Sequence, residues 1–150
     1  MAKANGPNPS NVGSTPIWST TSFPLISDPT LRLYAIVRTD LGMDSGKIAS
    51  QSGHAYLGVY LNPTQDPTIL AEYHKDYPNS PGTKICLSCK SLPALLRAEA
   101  EAKEEGIPTF KVIDSGCENF FGGRPVITAL GIGPCTKDQI KHITKRFQLL

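Results

Sequence analysis

No stretch of this chain approaches the roughly 20 consecutive apolar residues that a membrane-crossing helix needs, so no membrane role is expected. The first residues lack the compact apolar core of a secretory signal, and no arginine of the kind a mitochondrial leader uses precedes Arg32. The expected compartment is the cytoplasm. A dominant charge is also lacking: 15 Lys and Arg stand against 13 Asp and Glu, a net charge of +2. No field of the whole molecule therefore draws it to nucleic acid, and an anionic partner has to be met by a local patch. Cysteine is sparse, with Cys86, Cys89, Cys117 and Cys135 the four present. In a reducing compartment these are expected to be free thiols. Cys86-Leu-Ser-Cys89 has zinc-knuckle spacing, but the remaining two cysteines form no second pair of that kind. Buried small side chains and no metal are the expectation.

A chain of 150 residues has the length for one domain with one core. Residues 1–29 are rich in Asn, Ser, Thr, Pro and Gly, with apolar residues scattered without a period. They read as a flexible arm in which Trp18 and Phe23 are the candidates to dock on the body. The domain proper, residues 30–150, opens with Leu31–Thr39, a run of bulky and β-branched residues that predicts a strand. A helix then runs from Asp44 to about Leu61, and a shorter one over Pro67 to Tyr77. Thr83–Ser88 predicts the second strand. Ser91 caps a third helix, with Pro93 in its first turn and Gly106 at its stop. Pro108–Asp114 predicts a third strand and Pro125–Leu130 a fourth, with Gly131-Ile132-Gly133-Pro134 as a bend after it. Thr136-x-x-Gln139 is a capping box for the last helix, on which Lys137, Lys141 and Lys145 make a basic stripe.

Helical crossovers join strands one to three, so these should run parallel with right-handed connections. The link to the fourth strand leaves no room for a helix and predicts an antiparallel return. The expected fold is α/β: a three-layer α/β/α sandwich around a small mixed four-stranded sheet, three strands parallel and the last antiparallel.

In such a sheet the site lies outside the carboxyl ends of the parallel strands. Asp40 follows strand one, Lys47 opens the helix behind it, Asp114 ends strand three, and the loop 115–124 leaves from there. Lys47 and Asp114 are thus candidates to meet. A cation in the first turn of a helix opposes the helix dipole, at a cost of up to about 1 kcal/mol, which makes sense beside something negative. Lys47, Gln51 and His54 stand at i, i+4 and i+7 and share a helix face. The adjoining face, Ile48, Ser52, Ala55 and Val59, is small and apolar enough to lie on a sheet. Each residue also has a plainer reading: Lys47 as a solvated lysine, Asp114 as a strand-ending turn acid, His54 as a histidine packed on the sheet, and the basic stripe as a solvated face.

The run Val37-Arg38-Thr39-Asp40-Leu41-Gly42-Met43, followed by Gly46-Lys47-Ile48-Ala49-Ser50-Gln51-Ser52-Gly53-His54-Ala55, resembles the first motif of the type 2 (archaeal and eukaryotic) peptidyl-tRNA hydrolases. Ile113-Asp114-Ser115-Gly116 and Ala129-Leu130-Gly131-Ile132-Gly133-Pro134 are similar to that family's second and third motifs, in the same order. The resemblance covers about residues 31–150 and implies an α/β sandwich, no cofactor, a peptidyl-tRNA substrate and cleavage of the ester between peptide and terminal ribose. A homodimer is common in the family, though no residue pattern here specifies one.

On that resemblance Lys47 and Asp114 carry the catalysis. Gln51 and His54 belong to the helical motif, and Asp40, Arg124 and Lys141 are further candidates for substrate contact. Asp114 would orient or deprotonate water while Lys47 holds the oxyanion or the terminal phosphate. A lysine beside the carboxyl weakens it as a base and favours the orienting role. Where the family usually has threonine two residues after Asp-x-Gly, this chain has Glu118, a substitute acceptor or base. That departure sustains a rival reading, a catalytically impaired relative that binds RNA or protein. Phe120 and Phe121 are either base-stacking residues or loop anchors. A thiol hydrolase built on Cys117, His54 and Asp114 rests on residue type alone.

Overall fold

The computed structural model describes residues 28–116 and 121–150. The chain runs β1 (Arg32–Arg38), α1 (Ser45–Tyr60), α2 (Pro67–Tyr73), β2 (Thr83–Cys89), α3 (Leu92–Glu104), β3 (Thr109–Asp114), β4 (Val126–Cys135), α4 (Lys137–Thr144) and β5 (Gln148–Leu149). Of the arm expected over 1–29, all but Asp28 and Pro29 lies outside the described residues, as do Cys117, Glu118 and Phe120.

The sheet is mixed and has the order β3-β4-β1-β2-β5. β1 and β2 pair in parallel, and β4 runs antiparallel to both its neighbours, β1 and β3. Strands β1, β2 and β3 therefore point the same way, as expected from the crossovers. The expected four-stranded sheet is corrected to five strands. β5 is a two-residue strand paired antiparallel to β2 through Leu87–Leu149 and Ser88–Gln148. A segment so short and so exposed carries no period of two for a sequence pattern to reveal.

β1 is buried on both faces, and alternation along it sorts the two layers. Leu33, Ala35 and Val37 pack with Ala55 and Val59 of α1. Tyr34 and Ile36 pack with Leu95 and Ala98 of α3 and Ile140 and Ile143 of α4. The result is helices on both faces of one sheet. The alternation also separates the CxxC pair: Cys86 faces α1 and Cys89 lies buried on the α3 side. Three residues apart on a strand, the two thiols point opposite ways and cannot share a metal. Cys86, Cys89 and Cys135 are free, and burial pushes the Cys135 thiol up to about 12.

The caps follow their residue types. Asp44 accepts from the Lys47 N–H at the start of α1, Ser91 from that of Ala94, and Thr136 with Gln139 completes a capping box. α2 ends at Tyr73, earlier than the expected Tyr77, in a run of turns before Pro78 that a residue preceding proline favours.

The expected bend at Gly131-Ile132-Gly133-Pro134 is instead the second half of β4. Gly131 is a point of close approach between sheet and helix: a Cβ there would stand 2.2 Å from the Ala55 carbonyl oxygen of α1. Glycine is required by that contact, which seats α1 on the sheet and so fixes where its first turn points.

Candidate active site

Asp44 caps α1, and the third residue of the helix, Lys47, reaches across to the end of β3. Its Nζ donates to Asp114 Oδ2 at 2.5 Å. The two side chains are 15% and 10% exposed, so the ion pair is mostly removed from water. Such a pair has a large desolvation cost, which further hydrogen bonds reduce. Two are in place: the Gly116 N–H donates to Asp114 Oδ1 at 2.9 Å, and Gln51 Nε2 lies 3.4 Å from Oδ2. Lys47 opposes its own dipole, and Asp114 offsets the penalty.

Gln51 is 3% exposed, and its Oε1 accepts from the Thr128 hydroxyl at 2.5 Å. Thr128 is fully buried, and a bulge puts it there. Val112 pairs with Ala129 but Ile113 with Ile127, so Thr128 has no partner on β3. The extra residue turns its hydroxyl towards α1 instead of letting it alternate away. With the carbonyl oxygen of Gln51 held by Thr128, the amide N–H₂ is the end presented to Asp114. Thr128 is not legible in the sequence as part of this network, because a bulge is a matter of pairing and leaves no local signature.

Gly116 turns the chain at φ +94°, and a Cβ on it would meet Gly123 C and Arg124 N at 2.6 and 2.7 Å. The two ends of the 115–124 loop are thereby held together beside Asp114. Phe121 packs against the cluster containing Ala35, Val37 and Met43, with its ring centroid 5.7 Å from Lys47 Nζ. It is a loop anchor with a cation–π contact to the site lysine.

A model of the family described as "Peptidyl-tRNA hydrolase PTH2" matches residues 31–150. The chain belongs to the PTH2 peptidyl-tRNA hydrolase family. Among its relatives, a peptidyl-tRNA hydrolase of Methanopyrus kandleri is 34% identical over 115 residues, covering 77% of this chain and 94% of the relative. One of Methanothermobacter thermautotrophicus is 36% identical over 115 residues, 77% of this chain and 96% of the relative. A probable peptidyl-tRNA hydrolase 2 of Dictyostelium discoideum is 33% identical over 114 residues, 76% of this chain and 52% of that longer relative.

The residues singled out on the PTH2 motifs fall into three groups. Lys47, Gln51 and Asp114 are brought together directly. Asp40, His54 and Arg124 lie around them. The Asp40 carboxylate is taken up by the Arg38 guanidinium, with Nε to Oδ1 at 3.1 Å and Nη2 to Oδ2 at 2.6 Å, which holds its pKa below the ordinary carboxylate value. The same guanidinium donates to the Ile127 carbonyl at 3.1 Å, tying the start of the loop to the bulged strand. His54 is exposed rather than packed on the sheet, and it lines a groove that begins at Gln51 and Asp114. Arg124 is exposed at the loop exit beside Gly116. Lys141 stands apart, exposed on α4 across the sheet from α1. Glu118 lies outside the described residues. No cluster of metal-ligating side chains occurs among the described residues, and no described helix is long and apolar enough to cross a membrane.

Proposed function

We infer that this chain is a peptidyl-tRNA hydrolase that cleaves the ester between a peptide and the terminal ribose of tRNA, with Lys47 and Asp114 as its reacting groups. The observation that carries this reading is the shielded Lys47–Asp114 pair at 2.5 Å, at the end of β3, in a chain that matches the PTH2 family. Ester hydrolysis needs an oriented water and a stabilised oxyanion. Asp114 accepts from Lys47, Gln51 and the Gly116 N–H, which suits it to hold a water by hydrogen bonding more than to strip its proton. The Lys47 ammonium has three protons, so besides Asp114 it can donate to the oxyanion as charge develops there. Glu118 is a further acceptor for the water, and Arg124 is offered to the terminal nucleotide phosphate. Asp40, bound to Arg38, shapes the loop more than it meets substrate. Lys141, across the sheet, is offered only to the tRNA backbone.

The test is release of peptide from N-acetylaminoacyl-tRNA by the wild type, Lys47→Ala and Asp114→Asn. Removal of one transition-state donor costs on the order of 10²–10³ in kcat, and each variant is expected to lose at least that. Hydrolysis undiminished in Asp114→Asn would refute the site while keeping the enzyme. No turnover by the wild type would leave a binding module in place of the hydrolase.

A further inference from the structure

We propose that the groove between α1 and the outer edge of β3 receives the peptide end of the substrate, in extended form and with a preference for apolar residues. This rests on the peptidyl-tRNA hydrolase reading above. The groove has a volume of about 450 Å³ and starts at the reacting groups, with Gln51 and Asp114 at its head. Whatever fills it is therefore continuous with the scissile ester.

Its walls are apolar and unusually open. Leu57 and Leu61 of α1 are 59% and 65% exposed, and Phe110 and Ile113 of β3 are 40% and 58% exposed. All four line this one groove. Its floor depends on Gly58: a Cβ there would fall 2.1 Å from the Phe110 ring, so only a glycine lets the ring lie against the helix.

Charge distinguishes the two ends of a peptidyl-tRNA. The described residues lining the groove include no lysine or arginine; the acid Asp114 stands at the head, and His54 is the one other titratable side chain. A phosphate backbone laid along these walls would find no lysine or arginine to neutralise it. The cations Lys47 and Arg124 stand at or beyond Asp114, on the loop side. The tRNA end belongs there, and the uncharged peptide belongs in the groove.

The backbone supports an extended occupant. β3 is the terminal strand of the sheet, and among the described residues no strand pairs with its outer edge. Such an edge binds an extended peptide through main-chain hydrogen bonds, tolerant of sequence, while flanking pockets read alternate side chains. From Gln51 to Leu61 the helix rises about 15 Å at 1.5 Å per residue. At about 3.3 Å per residue of strand, that length holds about four peptide residues.

The test compares kcat/KM for N-acetylglycyl-tRNA and an N-acetylated tetraleucyl-tRNA in the wild type, Leu57→Ser and Ile113→Ser. Both substituted side chains are more than half exposed, so the variants are expected to melt with the wild type. The wild type should favour the tetraleucyl substrate by about tenfold or more, the discrimination that apolar contacts supply. Either variant should cut that preference severalfold, chiefly through KM. Equal kcat/KM for the two substrates in the wild type, or an unchanged ratio in both variants, would overturn the proposal. Weakened binding of deacylated tRNA by the variants would assign the groove to RNA and also overturn it. Cleavage of neither substrate by the wild type would remove the hydrolase reading itself, a result distinct from cleavage without preference.

Discussion

Thr128→Val is the sharpest probe of the network behind the ion pair. The substitution keeps the β-branched shape that a strand favours and removes only the hydroxyl. That hydroxyl is fully buried and donates at 2.5 Å to Gln51 Oε1, on a residue itself 3% exposed. Its loss forfeits one hydrogen bond, about 1 kcal/mol, and strands a desolvated carbonyl at about 1–3 kcal/mol. A net destabilisation of about 2 kcal/mol is expected, or roughly 5–10 °C in melting temperature for a body of this size. The catalytic effect comes from orientation. Without Thr128 only the long 3.4 Å contact to Asp114 orients the Gln51 amide, and a carbonyl turned towards the carboxylate would repel it. Turnover of N-acetylaminoacyl-tRNA should fall about tenfold in kcat, the loss expected from a modestly misplaced group, with KM little changed. Thr128→Ser, which restores the hydroxyl, should recover most of it. The decisive measurement is a double-mutant cycle with Gln51→Met by urea denaturation. In the Gln51→Met background there is no carbonyl to strand, so Thr128→Val should cost less than about 0.5 kcal/mol, giving a coupling above 1 kcal/mol. Additive costs, or a neutral Thr128→Val, would refute the account.

Two further expectations test the frame and its charges. Gly131→Ala puts a methyl 2.2 Å from the Ala55 carbonyl oxygen; α1 has to lift from the sheet, and a loss of about 1–3 kcal/mol is expected, read as a lower urea midpoint at unchanged slope. Glu99 is held by Lys103 at 3.0 Å and Lys111 at 3.3 Å. Burial alone would raise its carboxyl, but the two lysine hydrogen bonds prevail and hold it below its ordinary 4.5. The contribution to stability is therefore fully present above about pH 4.5 and is lost as the pH falls through the lower folded value. Glu99→Gln should be less stable than the wild type at pH 6, by a difference that shrinks below pH 4.5; a pH-independent difference would show the pairing to be inert.

The elements that position the site were legible because their signals are local. The bulky, β-branched run that makes Arg32–Arg38, the Ser91 cap and the Thr136–Gln139 box each act within a few residues, and each stands where its pattern put it. The strand directions followed from crossover lengths, and with them the meeting of Lys47 and Asp114, 67 residues apart. Contacts whose cause lies elsewhere in the chain were hidden. Gly131 and Gly133 read as a bend because glycine usually weakens a strand, whereas the pressure of α1 makes Gly131 obligatory inside β4. The bulge at Thr128 and the two-residue β5 exist only through their pairing. The Asp40–Arg38 pair joins motif residues two positions apart, yet sequence alone did not show that it commits the carboxylate.

The strand order sets the sequence in which this site can assemble. β1 delivers α1 and Lys47, and β3 delivers Asp114, but these strands are not neighbours; β4 lies between them and pairs with both. A fragment ending before Val126 holds both charged residues and no sheet to join them. During synthesis, the groups offered here as the reacting pair come to face each other only once the last long strand has entered the middle of the sheet. Long-range pairing of this kind is slow, so function should appear late in refolding, as one event with the closing of the sheet. Hydrogen exchange in β4 and the recovery of hydrolysis are then expected to share a single time course.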